Sequence, residues 1–136
     1  MSKYNRTYHL PWSPGTTSDD RIAKDISKLI GVPIVITEKL DGENSGLTNK
    51  GAYARSHAVF TTSAWSKEVR QLQSLIKNDI EDDMILFGEN MEGVHSIEYE
   101  HLSSYFYLFG IRKEDYWLSW QEIGRASCRE RVSSPV

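Results

Sequence analysis

The chain has a single cysteine, Cys128, among its 136 residues, which excludes a disulfide framework and a cysteine-based zinc site. It also lacks any apolar run near the roughly twenty residues that a membrane-spanning helix needs. No apolar segment follows the few charges at the start, so no secretory signal is read and the cytoplasm is the expected setting. A basic excess is missing too: 16 Lys and Arg stand against 19 Asp and Glu, a net charge of −3. That argues against a strongly basic nucleic-acid-binding module, although a few well-placed cations on an acidic body suffice to hold phosphates. What is present is an ordinary globular composition, 39% apolar and 26% charged, in a length that suits one domain with a buried core.

The composition breaks near the C-terminus. Glu122-Ile123-Gly124-Arg125-Ala126-Ser127-Cys128-Arg129-Glu130-Arg131-Val132 has no apolar period and gathers three arginines, unlike the acidic chain before it. It resembles a translated sequencing adapter; the alternative is an exposed basic extension. The expectation is therefore a native part over residues 1–121 and a non-native tail over 122–136. Cutting from Ile123 onward removes Arg125, Arg129, Arg131 and Glu130 and takes the net charge from −3 to −5.

Periodicity gives a mixed order of elements. Tyr4 to Gly15 carries two prolines and reads as extended or turn-like. Asp19 to Ile30 is expected to be a helix, with Ser18 as N-cap, Ile22, Ile26, Leu29 and Ile30 on one face, and Gly31 and Pro33 as its stop. Val32 to Glu38 is rich in β-branched residues and is expected to be a strand running into Lys39. Ser45–Thr48 and Ala52–Arg55 flank Asn49-Lys50-Gly51, a hairpin signal. Trp65, Val69, Leu72, Ile76 and Ile80 recur at helical spacing behind Ser63, a capping residue. Met84–Phe87, Tyr105–Ile111 and Tyr116–Trp120 have the length of short strands. The predicted class is α+β, a largely antiparallel sheet with inserted helices.

The chemistry concentrates at Lys39-Leu40-Asp41-Gly42-Glu43-Asn44. A lysine amine attacks a phosphoryl group only when neutral, and its reference pKa is about 10.4, so such a site must desolvate it or set cations beside it. Asp41 could orient the amine or recruit a metal, and Gly42 lets backbone approach a ligand. The competing reading is a solvated turn, since Asp-Gly is a favoured turn pair.

Further features follow in order. Lys39, Gly42 and Asn44 fit the pattern Lys-x-x-Gly-x-Asn. Arg55 follows in Ala54-Arg55-Ser56-His57, a strand ends Leu86-Phe87-Gly88-Glu89-Asn90, and an aromatic strand reads Phe106-Tyr107-Leu108-Phe109. Together, from about Tyr4 to Gln121, these resemble the ATP-dependent RNA ligase family of the lysine-dependent nucleotidyltransferase superfamily. The resemblance implies the N-terminal part of an ATP-grasp-like adenylation domain, joining RNA 5′-phosphate and 3′-OH ends with ATP and Mg²⁺ through a lysyl-AMP on Lys39. It implies that Glu38, Asp41, Gly42 and Asn44 line the nucleotide and the RNA end. It gives Arg55 the ribose or phosphate, Glu89 a ribose hydroxyl, and Phe106 the adenine, with Phe109 as core.

Each residue also has a structural alternative. Arg55 can be a hairpin cation, Glu89 a strand end, Asn44 a turn residue and Phe106 core; His57 and His95 are expected to be structural or exposed. Gly110 stands where the family often has aspartate after the aromatic strand. The family's later metal-binding glutamate strand and Lys-x-Lys strand have no counterpart before residue 122, so the domain is expected to be incomplete and no metal ligand is assigned. The alternatives are a DNA ligase, a GTP-using capping enzyme, or a non-catalytic nucleotide- or RNA-binding fragment.

Overall fold

The computed structural model describes residues 2–55, 59–93 and 95–130, with side chains described as far as residue 125; His57 lies outside the described residues. The chain divides into two units, Met1–Tyr4 with Thr37–Val136, and Asn5–Ile36.

The larger unit is built on an antiparallel sheet. Strand β1 (Glu43–Thr48) turns at Asn49-Lys50 into β2 (Gly51–Ala54), as the hairpin signal predicts. The Thr48 hydroxyl closes that turn, accepting from the Lys50 N–H and donating to the Gly51 carbonyl, both at 3.2 Å. Ser63 caps the next element by accepting from the Trp65 N–H at 3.2 Å, and helix α1 (Lys67–Ile76) follows. Strands β3 (Met84–Asn90), β4 (Phe106–Lys113) and β5 (Tyr116–Trp117) complete a sheet of order β2-β1-β3-β4-β5. The α+β class and the antiparallel pairing are as expected.

One face of this sheet is buried. Leu47, Ala52, Leu86, Phe106, Leu108 and Ile111 form a core with Val69 and Ile76 of α1 and with Ile80. Burying each large apolar side chain contributes roughly 1.5–3 kcal/mol, so this contact holds the unit together. The helix is tied to the hairpin by buried Gln73, whose Nε2 donates to the Thr48 carbonyl at 2.8 Å. Buried Asn90 donates to the Trp65 carbonyl at 2.8 Å, fixing the helix entry to the end of β3.

A bulge resets the alternation of β4 after Phe109. The β3–β4 register pairs Gly88 with Leu108 but Phe87 with Gly110, leaving Phe109 as an extra residue on β4. Inward positions therefore run Phe106, Leu108, Ile111, and Phe109 goes to the opposite face. Gly88 is required at this point because a Cβ there would lie 2.3 Å from the Phe106 ring.

Helix α2 (Trp120–Glu130) crosses the composition break at Glu122 without interruption. Ser119 and Glu122 form a reciprocal cap, the Ser119 N–H donating to Glu122 Oε2 at 2.6 Å and the Glu122 N–H to Ser119 Oγ at 3.3 Å. Ile123 is 4% exposed and joins the core. The break in composition is thus not a break in structure.

The smaller unit departs from expectation. The predicted helix over Asp19–Ile30 is absent, and only Ser27–Leu29 makes a 3₁₀ turn. Its apolar stripe has nothing to bury against: Ile22, Leu29 and Ile30 are all exposed, and a short helix without a buried face is marginal in water. Local bonds win instead, with Asp20 accepting from the Thr17 N–H and Asp25 from the Ser27 N–H. The turn ends at Ile30, whose backbone is already extended, and Gly31 follows at φ +75°. The predicted strand over Val32–Glu38 also fails to form, and Ile36 is 84% exposed. A parallel bridge joins His9 to Ile22.

Phe106→Ala is expected to cost about 3–5 kcal/mol of stability in urea unfolding, as for a fully enclosed ring, and Phe109→Ala clearly less. Equal losses would contradict the assignment of the two rings to opposite faces.

Candidate active site

The sheet's second face is set by the same alternation. Because Leu86 and Gly88 point to the core, Phe87 and Glu89 point away from it. In register with Glu89 stand Asn44 on β1 and Tyr107 on β4. Arg55, one step beyond β2, is fixed beside them by its N–H, which donates to the Asn44 carbonyl at 2.9 Å. Its side chain is exposed and has no ion-pair partner among the described residues. A polar row of Arg55, Asn44, Glu89 and Tyr107 thus runs across the strands.

Beside the polar row lies an aromatic floor. Tyr4 packs edge-on against Phe87, Phe109 and Trp117, with ring centroids 5.4, 4.9 and 5.2 Å away. Tyr53 lies over Gly46, and its hydroxyl donates to the Ser2 carbonyl. Burial pushes the Tyr53 hydroxyl up to about 12, against the opposing pull of Arg112. It therefore stays protonated at neutral pH.

The Lys39 segment meets this face at Glu89. The Gly42 N–H donates to Glu89 Oε1 at 3.0 Å. A Cβ at position 42 would lie 2.4 Å from the Asn90 carbonyl, so only glycine allows this approach. Burial raises the Glu89 carboxyl above its ordinary value, and the Gly42 hydrogen bond and the charge of Lys39 pull it partly back. Lys39 itself is exposed, as is Glu38, which makes no hydrogen bond or ion pair among the described residues. Leu40, the next residue, is buried.

Asp41 does not face the amine. Its Oδ2 accepts from the Ser96 N–H at 2.9 Å and the Ser96 hydroxyl at 2.6 Å, and its own N–H donates to the Tyr99 hydroxyl at 2.9 Å. The Ser96 hydroxyl is the chief reason its carboxyl sits below the usual range. His95 is near enough for its charge to act on both Asp41 and Glu89.

Of the residues singled out in the sequence, the structure gathers Lys39, Gly42, Asn44, Arg55 and Glu89 around one face. It turns Asp41 toward Ser96, leaves Glu38 apart, and puts Phe106 elsewhere. The Phe106 ring is 2% exposed inside the α1-side core and cannot stack on a ligand at Glu89; Phe109 is the half-exposed ring on the Glu89 side. Strand alternation correctly separates these two rings, and the register with β3, which pairs Phe106 with Asn90 and Tyr107 with Glu89, puts Phe106 on the core side and Phe109 on the Glu89 side. Tyr107, Ser96 and Tyr99 had no sequence signal, because nothing local marks them as partners of residues far away in the chain.

Magnesium held mainly through a substrate's phosphates needs only one or two carboxylates, and Asp41 and Glu89 are the ones beside the Lys39 segment. Among the described residues no three His, Cys, Asp or Glu side chains come together to hold a metal ion. Asp41 Oδ2 is taken by Ser96 and Glu89 Oε1 by Gly42. Among the described residues, no helix is long and apolar enough to cross a membrane.

A family model for RNA ligases matches residues 32–136, and the chain belongs to the RNA ligase family. The match covers the whole larger unit from Lys39 onward and continues across Glu122. Comparison with curated proteins finds no match, and comparison with solved structures finds none either.

Because the folded state holds the Glu89 proton more tightly than the unfolded chain does, this group lowers stability as pH rises past the ordinary glutamate value of 4.5. The Glu89→Gln variant should therefore gain on the wild type across that rise and then keep a constant lead. Thermal melts of both from pH 4 to 8 check this, and a lead that shrinks with rising pH would contradict it.

Proposed function

We propose that the protein acts in joining RNA ends by an ATP-dependent route in which Lys39 becomes covalently adenylated. One observation carries the reading: the Gly42 N–H and the charge of Lys39 both converge on Glu89, at the edge of an aromatic floor. A carboxylate that accepts from hydroxyl groups, beside rings that take a base, suits a nucleoside.

In this reading a purine stacks against Phe109, with Tyr4 packed edge-on against that ring. Glu89 accepts from a ribose hydroxyl, and Tyr107 lies next to it in register. Arg55 presents its fork of donors to phosphate or to the RNA end, a geometry that suits bidentate contact. Asn44 lines the space between them.

The first step forms a bond between Lys39 Nζ and the α-phosphorus of ATP and breaks the bond to the bridging oxygen. Pyrophosphate leaves with that electron pair, and the amine gives up a proton. The AMP then passes to an RNA 5′-phosphate, releasing Lys39. A 3′-OH attacks that phosphate, AMP departs, and the RNA ends are joined. A cytoplasmic setting is part of the proposal.

The exposure of Lys39 favours a second reading, a domain that binds nucleotide or RNA without forming the covalent bond. Incubation with α-labelled ATP separates the two. Transfer of label to the wild-type chain and its complete loss in Lys39→Ala is the expected result. ATP binding with no label would favour the binder. Label from GTP in preference, or sealing of nicked DNA over nicked RNA, would move the protein to another branch of the superfamily.

A further inference from the structure

The segment that carries Lys39 is not part of any helix or strand, and from Val32 to Leu40 no backbone–backbone hydrogen bond holds it among the described residues. Among the described residues its hydrogen bonds lie only on the far side, at Asp41 and Gly42, next to the buried side chain of Leu40. Gly42 is held by Glu89, within the face already described. Asp41 is held by a different loop, through the Ser96 N–H at 2.9 Å, the Ser96 hydroxyl at 2.6 Å and the Tyr99 hydroxyl at 2.9 Å. These partners lie 55 and 58 residues further along the chain, so the tether is tertiary and not a local turn.

We propose that Ser96 and Tyr99 are positioning residues for Lys39, acting through Asp41; this rests on the reading of Lys39 as the nucleophile. Their effect is to fix the backbone two residues beyond the amine, by bonds to both its N–H and its carboxylate. Hydrogen bonds to a charged group are the stronger kind, and here one carboxylate oxygen takes two of them. With the upstream backbone unheld, losing them lets Lys39 sample positions away from the phosphorus, which slows attack without weakening the grip on the nucleotide.

Ser96→Ala and Tyr99→Phe each remove one hydroxyl from an exposed or half-exposed place, so the fold should survive. The expected result is label transfer from ATP on the order of tenfold slower at saturating nucleotide, with the KM for ATP unchanged and the melting temperature unmoved. Ser96→Thr, which keeps both donors, should restore most of the rate. Amide exchange at Asp41 and Gly42 should quicken in Ser96→Ala while exchange in β3 stays the same.

Wild-type rates in both variants would overturn the proposal, as would a loss of rate matched by a loss of stability or a raised KM. Absence of label on the wild-type chain would instead overturn the reading of Lys39, and the catalytic role of the tether with it.

Discussion

Burial of one sheet face against α1 is the constraint on which the rest of the molecule depends. Once Leu47, Leu86 and Phe106 are committed to that core, the period of two along each strand sends Asn44, Glu89 and Tyr107 to the other side. A slip of one residue would exchange the two sets, placing a carboxylate in the core and apolar rings in solvent. The same packing that stabilises the unit therefore sets out the polar row, and no separate force is needed to assemble it.

The bulge at Phe109 adds what alternation alone cannot. It keeps Ile111 in the core after Leu108, while alternation has already put Phe109 on the outer face beside Tyr4. The result is an aromatic floor flush with Glu89, built from β3, β4, β5 and the residues before Asn5. Across this face the Lys39 segment is anchored at Leu40, Asp41 and Gly42, whereas its upstream backbone is unpaired. Strength at one end and freedom at the other suit the role proposed for Lys39, which is to reach a phosphorus and later release it.

Much of this was legible in the sequence, and the rest was not for identifiable reasons. The Asn49-Lys50-Gly51 turn and the helical spacing from Trp65 to Ile80 are local signals, and both elements form where they predict. Parity puts Phe106 and Phe109 on opposite faces, but which of the two faces meets the core depends on the register with β3, so the expectation for Phe106 rests on a choice that parity alone leaves open. Ile22, Ile26 and Leu29 have a helix's spacing, but spacing yields a helix only where a surface exists to cover the stripe. Val32 to Ile36 has a strand's composition, and the same lack of a partner leaves it without pairing. At Glu122 the change in composition is real, yet Ser119 caps across it and Ile123 enters the core.

The central claim is that the nucleotide lies on the Glu89 face and not against the α1-side core. Titration of the protein with ATP, followed by NMR of labelled phenylalanine rings and backbone amides, tests it most directly. The account predicts that Phe109 and the amides of Gly42, Asn44 and Glu89 shift together with one dissociation constant, while the Phe106 ring does not move. Shifts centred on Phe106 and α1, with Gly42 and Glu89 unchanged, would contradict it.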